Sequence, residues 1–208
     1  MTMRAALSAG LLALAASPAL AAPLAAPALG WRALISPEDQ IRLDDLAATR
    51  ARAIQEAETA AAAKEPNALE AAADTRTMLA AETMPVADQD LVGRYRCRMT
   101  KLGGQFLQLI RYPYFACHIQ QGPDQSLVIQ KRSGSQRFIG RLWREVDGAS
   151  YVYLGATYVN DDQPIAYNND PKENSVGRLY RIGPDRLRLE LPAPYYESTL
   201  DVLELQRR

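Results

Sequence analysis

The sequence is poor in the side chains on which most enzymes and metal sites depend. It has one histidine, His118, so it cannot supply a cluster of histidine metal ligands. It also lacks the G-x-S-x-G nucleophile elbow, the phosphate-binding G-x-x-x-x-G-K-[ST] loop and the dinucleotide-binding G-x-G-x-x-G pattern. The sequence therefore predicts no catalytic residue, no metal site and no cofactor.

A charge excess and a long apolar span are missing too. Lys plus Arg number 24 and Asp plus Glu number 24, and this balance gives no indication of nucleic-acid binding. After the N-terminal region, no apolar stretch is long enough for a membrane span. The charge is unevenly divided, however, because residues 31–90 carry a net −6 and residues 91–208 a net +5. The two parts of the chain should therefore attract each other.

The first residues have the features of a secretory signal peptide. A short positive start, MTMR, precedes an alanine-rich apolar run, and Ala19-Leu20-Ala21 forms an A-x-A cleavage signal. We predict that residues 1–21 are removed on export to the periplasm and that residues 22–35 form a linker. The alternative is an uncleaved membrane anchor, for which the run is short.

The chain has only two cysteines, Cys97 and Cys117, and no C-x-x-C motif. An even pair in an oxidising compartment favours a disulfide over free or redox-active thiols. In the chain-entropy model, closing a loop of this size contributes about 3 kcal/mol to the free energy of unfolding.

Residues 36–84 have the pattern of a helical hairpin. Ser36 is a good N-cap, Pro37 suits the first helical position, and acidic residues follow. Pro66 should end the first helix, and Asn67 can cap the second. The apolar stripe on these helices is thin, so the arm needs another surface to pack against.

From residue 91 onward the chain alternates apolar and polar residues in short segments bounded by turn residues. We predict an antiparallel domain over 91–208 with strands near 93–101, 115–120, 126–132, 136–144, 150–159, 176–182, 186–191 and 200–206. Eight strands joined in order predict an up-and-down meander that closes into a barrel. The fold class is thus α+β, a helical hairpin followed by an eight-stranded barrel.

One predicted strand, YVYLGATYV at 151–159, is apolar on both faces. A strand of an antiparallel sheet usually exposes one face to water, so something must cover the second face here. The acidic helical arm is the favoured cover, because it would bury both apolar stripes and pair the charges. A second copy of the chain is the alternative.

Aromatic and basic side chains are the candidates for ligand binding. The sequence has ten tyrosines, and tyrosine offers both apolar area and a polar tip, although it also simply favours strands. The segment QKRSGSQRFIGR places basic residues around a Ser-Gly-Ser turn that can hold an anion, or else is a solvated turn. The candidate residues are Tyr95, Tyr151, Tyr153, Trp143, Arg132, Arg137, Tyr195 and Tyr196.

Five strings together resemble a bacterial family known as domain of unknown function 4893: YRCRMTKLGG, KRSGSQRFIGRLW, YVYLGA, RLRLELPAPYYES and LDVLEL. That resemblance implies an exported protein and assigns no catalytic residue. The barrel segment is also loosely similar to lipocalins and to the bacterial metalloprotease inhibitors built like them. Gly93-Arg94-Tyr95 echoes the G-x-W start of their first strand, and the inhibitors tie early strands with a disulfide.

These observations favour a non-catalytic periplasmic protein that binds a small apolar or amphipathic molecule, or a glycan, in or on a barrel. The alternative is a protein-interaction module, either a protease inhibitor or an envelope assembly factor, that uses its arginine-rich face. The least favoured function is a hydrolase that uses Glu197 or Asp201. A small molecule or an envelope protein is therefore the expected partner, and the sequence does not determine the oligomeric state.

Overall fold

The computed structural model describes residues 30–62, 66–104, 109–123, 126–160 and 162–208. The signal peptide predicted at residues 1–21 and most of the predicted linker lie outside these residues. Within the described ranges, no helix combines the length and the apolar character that a membrane crossing requires.

The helical elements stand mainly at the N-terminal end of the described chain. Ser36 caps the first α-helix by accepting a hydrogen bond from the Asp39 amide at 3.2 Å, and proline stands at the start of that helix. The predicted first helix is divided in two near Asp45. The elements are a 3₁₀ helix at Trp31–Ala33, α1 at Pro37–Asp44, α2 at Leu46–Ala62, α3 at Pro66–Ala80 and α4 at Asp88–Leu91.

Nine strands follow in the described ranges: β1 Gly93–Leu102, β2 Leu109–Arg111, β3 Phe115–Gln121, β4 Leu127–Lys131, β5 Gln136–Arg144, β6 Tyr151–Val159, β7 Asn174–Gly183, β8 Arg186–Pro192 and β9 Leu200–Arg207. All except β2 form a closed antiparallel barrel, in which β9 returns to pair with β1. The predicted eight-stranded up-and-down barrel and the α+β class are thus confirmed. Strand β2 was missed because three residues are too short for an alternation signal; it pairs with the end of β1.

The barrel interior is filled over most of its depth. Side chains alternate across each strand, and the inward set of apolar residues forms one continuous cluster. Helix α4 closes one end of the barrel, since Leu91 belongs to this cluster and accepts a hydrogen bond from Tyr95 Oη at 2.7 Å. Tyr151 Oη donates to Asp88 at 2.5 Å in the same region. Tyr95 and Tyr151 therefore hold α4 in place at the closed end of the barrel.

Cys97 and Cys117 form the predicted disulfide. They lie on the neighbouring strands β1 and β3, where Tyr95 pairs with Cys117 and Cys97 with Phe115. The Cα atoms of the two cysteines are 5.7 Å apart, within the usual range for a disulfide. The bond staples the first two adjacent strands of the barrel together.

The outer face of β6 is covered by the N-terminal segment of the same chain. Val152 and Leu154 point away from the barrel axis and pack against Trp31 and Leu43. The cover is thus α1, the first helix of the predicted arm, together with the 3₁₀ helix that precedes it. The hairpin of α2 and α3 instead packs over β1, β8 and β9, where Leu102 and other outward apolar residues meet its apolar stripe.

The interface between the hairpin and the barrel contains a buried ionic cluster. Glu190 on β8 is completely buried, with Oε2 2.7 Å from Arg50 Nε and Oε1 2.7 Å from Arg188 Nε. The second contact is an ion pair without the alignment of a hydrogen bond. Arg188 also donates to the carbonyl oxygens of Met78 and Leu79, near the C-terminal end of α3. A basic side chain is well placed there, because that end of a helix carries negative potential and unpaired carbonyl groups.

Candidate functional site: the open end of the barrel

The end of the barrel opposite α4 is open and holds a cavity of about 280 Å³. The turns after β4, β6 and β8 surround it, and inward side chains near the ends of the strands line it. This volume lies just below the usual range for sites that hold drug-sized molecules, so the cavity suits a small ligand.

One wall of the cavity is aromatic and apolar. Phe115, Phe138 and Leu191 line its interior. Tyr195 and Tyr196 stand at the rim, where they are 60% and 50% exposed and contact each other edge to face with ring centroids 4.8 Å apart. Exposed aromatic rings beside a cavity offer contact area for an apolar ligand at a small loss of side-chain entropy.

The loop that carries the rim tyrosines has an unusual backbone. Ala193 and Glu197, on either side of the two tyrosines, have φ angles of 43° and 77°. Residues with a Cβ rarely adopt this left-handed region, and such conformations are concentrated at functional sites. The surrounding contacts therefore hold Tyr195 and Tyr196 at the mouth of the cavity, although the backbone conformation of Ala193 and Glu197 is intrinsically unfavourable.

The other wall is charged, and most of its charges are paired. Lys101 on β1 stands opposite Asp201 on β9; its Nζ lies 2.8 Å from Glu197 Oε2 and 3.5 Å from Asp201 Oδ2. Burial disfavours the ammonium of Lys101, but the two carboxylates outweigh that effect and raise its pKa. Burial raises the pKa of Asp201, against the opposing influence of Lys101. Lys101 is thus a cation held in place by two carboxylates.

Lys131 differs from Lys101, because within the described ranges no carboxylate lies within 4.0 Å of its Nζ. Its side chain is almost fully buried at the end of β4. The Nζ donates to the carbonyl oxygen of Gln136 and lies 4.2 Å from the centroid of the Phe115 ring. Burial, with further contributions from Arg137 and Lys101, lowers the pKa of Lys131 to about 8. The cavity therefore contains a cation without a carboxylate partner beside an aromatic wall.

The interior beneath the cavity is formed around Tyr153. The Cβ of an alanine at Gly155 would lie 2.2 Å from Tyr153 Oη, and one at Gly140 would lie 2.3 Å from the Tyr153 ring. The two glycines face each other on β5 and β6. Burial raises the pKa of Tyr153, and its hydroxyl, although near Ser175, forms no hydrogen bond of normal geometry with the described residues. The glycine pair thus makes room for one large ring.

The structure separates the residues that the sequence suggested as ligand-binding. Arg137, Tyr195 and Tyr196 line the cavity. Tyr95, Tyr151 and Tyr153 are buried in the core of the barrel, and Trp143 packs on the outside with the cluster around Trp31. Arg132 is exposed and is not among the lining residues.

Lys101 and Lys131 are two charged lining residues that sequence reasoning did not propose for ligand binding. The alternation of inward and outward residues along β1 and β4 contained a signal for both lysines. Lys131 continues the inward positions of Leu127 and Ile129, and Lys101 continues those of Cys97 and Met99. A lysine at an inward position near a strand end indicates a polar mouth.

A larger groove of about 610 Å³ lies on the outside, between α3 and the barrel. Its arginines are largely satisfied: Arg98 and Arg186 contact Glu204 at 2.8 and 2.7 Å, and Arg111 contacts Asp74 at 3.0 Å. Burial alone would raise the pKa of Glu204, but its hydrogen bonds and the paired arginines lower it to about 2. The groove already contains its own anions, so we favour the mouth of the barrel as the site.

Replacing Lys131 by methionine should raise the free energy of unfolding by about 2 kcal/mol at pH 6. The folded pKa of Lys131, about 8, lies below the ordinary value of 10.5, so folding disfavours its charged form. That penalty is fully present below pH 8 and declines as the pH rises toward 10.5. Urea unfolding at pH 6 and pH 10 should show the difference between Lys131→Met and wild type shrink by more than half. An equal difference at both pH values would contradict the assignment.

The chain matches a known protein family over most of its length. A family model described as "Domain of unknown function (DUF4893)" matches residues 31–205. The match takes in the N-terminal cover of β6, the hairpin and nearly the whole barrel. No curated protein shows significant similarity to the chain. Because the match extends over most of the sequence, the chain belongs to the DUF4893 family.

Proposed function

We propose that this protein binds a small amphipathic molecule with an anionic group at the open end of the barrel. The observation that carries the proposal is Lys131, a buried cation without a carboxylate partner in the described chain, in a cavity with an aromatic wall. A bound carboxylate or similar anion would supply that partner. A charge-assisted hydrogen bond of this kind contributes more than a neutral one.

The division of charge in the mouth also supports an anionic ligand group. Glu197 and Asp201 are both engaged by Lys101, so they neither compensate Lys131 nor stand free to repel an anion. The aromatic wall formed by Phe115 and Phe138 is available for the apolar part of the ligand. The filled lower barrel limits the length of that part, so a short chain or a single ring fits best.

We also propose that the mature protein works in the periplasm after loss of residues 1–21, with residues 36–84 as an arm on a barrel domain of residues 91–208. The Cys97–Cys117 disulfide is compatible with an oxidising compartment. Intact-mass measurement of protein purified from the envelope tests the cleavage, because a mature chain that retains Met1 would contradict it. The interaction-module and hydrolase functions stay predictions.

Calorimetric titration with butanoate, octanoate and dodecanoate tests the binding function, with octanol as the uncharged match to octanoate. We expect saturable one-to-one binding with a best chain length. Lys131→Met should weaken octanoate binding about tenfold, equivalent to about 1.4 kcal/mol, and leave octanol binding within about twofold.

The neighbouring residue supplies a matched control for this titration. Arg132 follows Lys131 in the chain, but it is exposed and does not line the cavity. Arg132→Met therefore also removes one positive charge, but one that lies outside the cavity. Octanoate binding by Arg132→Met should equal that of wild type. Absence of saturable binding by every probe, or equal weakening by both variants, would refute the proposed function.

A further inference from the structure

Two buried lysines line the same cavity in opposite electrostatic settings. Lys101 lies between two carboxylates, whereas Lys131 is 6% exposed, lies against the face of Phe115 and has the basic residues Arg137 and Lys101 as its charged neighbours. An amine acts as a nucleophile only in its neutral form, and desolvation beside other cations is a recognised way to obtain that form. Within this cavity, Lys131 has the setting of a nucleophile and Lys101 that of a fixed cation.

We propose that Lys131 captures small apolar aldehydes in the mouth of the barrel by forming a Schiff base through its Nζ. The inference rests on the proposed function in one respect, because the aldehyde must enter the same cavity. It goes beyond that function in assigning a covalent reaction to one named atom.

The reaction needs no oxidant, reductant or cofactor. The lone pair of Nζ attacks the carbonyl carbon, a C–N bond forms, and the carbonyl oxygen takes up a proton to give a carbinolamine. The C–O bond of the carbinolamine then breaks as the hydroxyl group takes up a proton and leaves as water. Over the two steps the nitrogen gives up its two protons to solvent and forms the C=N bond. One aldehyde and one amine thus give one imine and one water.

The state of the amine supports this chemistry. With the pKa of Lys131 lowered to about 8, about a tenth of its side chains are neutral at pH 7. A lysine with an ordinary pKa of about 10.4 is neutral in fewer than about one molecule in a thousand at that pH. Lys101, whose pKa is raised, stays an ammonium and should not react.

The surroundings of Nζ favour an aldehyde with an apolar body. The amine lies over Phe115, and Phe138 lines the same cavity. The Cβ of an alanine at Gly134 would lie 3.0 Å from Nζ and 2.8 Å from the Phe115 ring, so the turn after β4 needs a glycine where it passes the amine. Octanal has the same alkyl chain as octanoate and differs from it only in the head group.

Reductive trapping tests the inference. Folded protein is incubated at pH 7 with octanal and cyanoborohydride, which reduces the imine to a stable secondary amine, and the initial rate of labelling at each lysine is read by peptide mass spectrometry. We expect Lys131 to be labelled at least tenfold faster than Lys172, which is exposed at the cavity rim. Labelling should saturate with octanal and should slow in the presence of octanoate.

Two variants test the assignment of the reaction to Lys131. Lys131→Arg should abolish labelling at position 131, because a guanidinium group does not form an imine with octanal under these conditions. Arg132→Lys moves an amine one residue along to the exposed side, and its new lysine should be labelled at the slow rate of Lys172. Octanoate binding without preferential labelling of Lys131 would overturn the inference alone, and preferential labelling without octanoate binding would overturn the binding function alone.

Discussion

Glutamine in place of Glu190 should lower the free energy of unfolding by about 3–5 kcal/mol, because it leaves buried positive charge without its partner. Glu190 is completely buried and contacts both Arg50 and Arg188 at 2.7 Å. Arg188 is itself buried and cannot reach water while it donates to the carbonyl groups at the end of α3. The loss should appear in urea unfolding as a lower midpoint with an unchanged slope.

An exposed ion pair on the same hairpin provides the control. Glu58 contacts Arg76 at 2.8 Å, but both side chains are well exposed, so Glu58→Gln should change the free energy of unfolding by less than about 1 kcal/mol. The double variant Arg188→Met with Glu190→Leu should be more stable than Glu190→Gln, since it removes the buried charges together. Equal stabilities of Glu190→Gln and Glu58→Gln would show that the buried cluster does not hold the hairpin on the barrel.

Alanine in place of Gly155 should lower the free energy of unfolding by about 2–3 kcal/mol through overpacking. The added Cβ would lie 2.2 Å from Tyr153 Oη and 2.5 Å from the carbonyl oxygen of Ile139. The second contact is to the backbone of β5, which pairs with β6 at this position and cannot rotate away. The melting temperature of Gly155→Ala measured against wild type checks the prediction.

A companion substitution identifies the cause. Tyr153→Phe alone should be neutral or slightly stabilising, because the hydroxyl is buried and forms no hydrogen bond with the residues that the structure describes. Combined with Gly155→Ala, it should recover about 1 kcal/mol. The remaining loss belongs to the backbone contact and to the ring carbon Cζ of residue 153, which also lies 2.5 Å from the added Cβ. Gly183→Ala is the control, since its nearest neighbour would be 3.6 Å from the new Cβ. A loss for Gly183→Ala as large as that for Gly155→Ala would contradict the steric explanation.

The alternation of the sequence predicted the barrel because each strand has a period of two and the turns between strands are short. By the same alternation, Cys97 and Leu189 lie on the inside of the barrel, and Arg188 and Glu190 lie on the outside. The alternation did not show that the outside at Arg188 and Glu190 is covered by α2 and α3. A period of two distinguishes the faces of a sheet, but it carries no information on what packs against either face.

The site was predicted only in part for a similar reason. Tyr195 was proposed from the tyrosine content and Arg137 from the basic Ser-Gly-Ser turn, and both line the cavity. Tyr95 and Tyr153, which were also proposed from the tyrosine content, fill the core. Whether an inward side chain fills the core or lines the mouth depends on its height along the barrel axis. That height follows from the stagger between strands, which the pattern within one strand does not contain.

The sequence by itself determined the α+β class, the order of the elements, the inward and outward faces and the pairing of Cys97 with Cys117. Local propensity and periodicity are sufficient for these properties, because each depends on residues close together in the chain or on the count of cysteines. Only the tertiary structure decided that, among the described residues, Lys101 has two carboxylate partners and Lys131 has none. These partners come from β9 and the loop before it, and closure of the barrel brings them beside Lys101 and not beside Lys131.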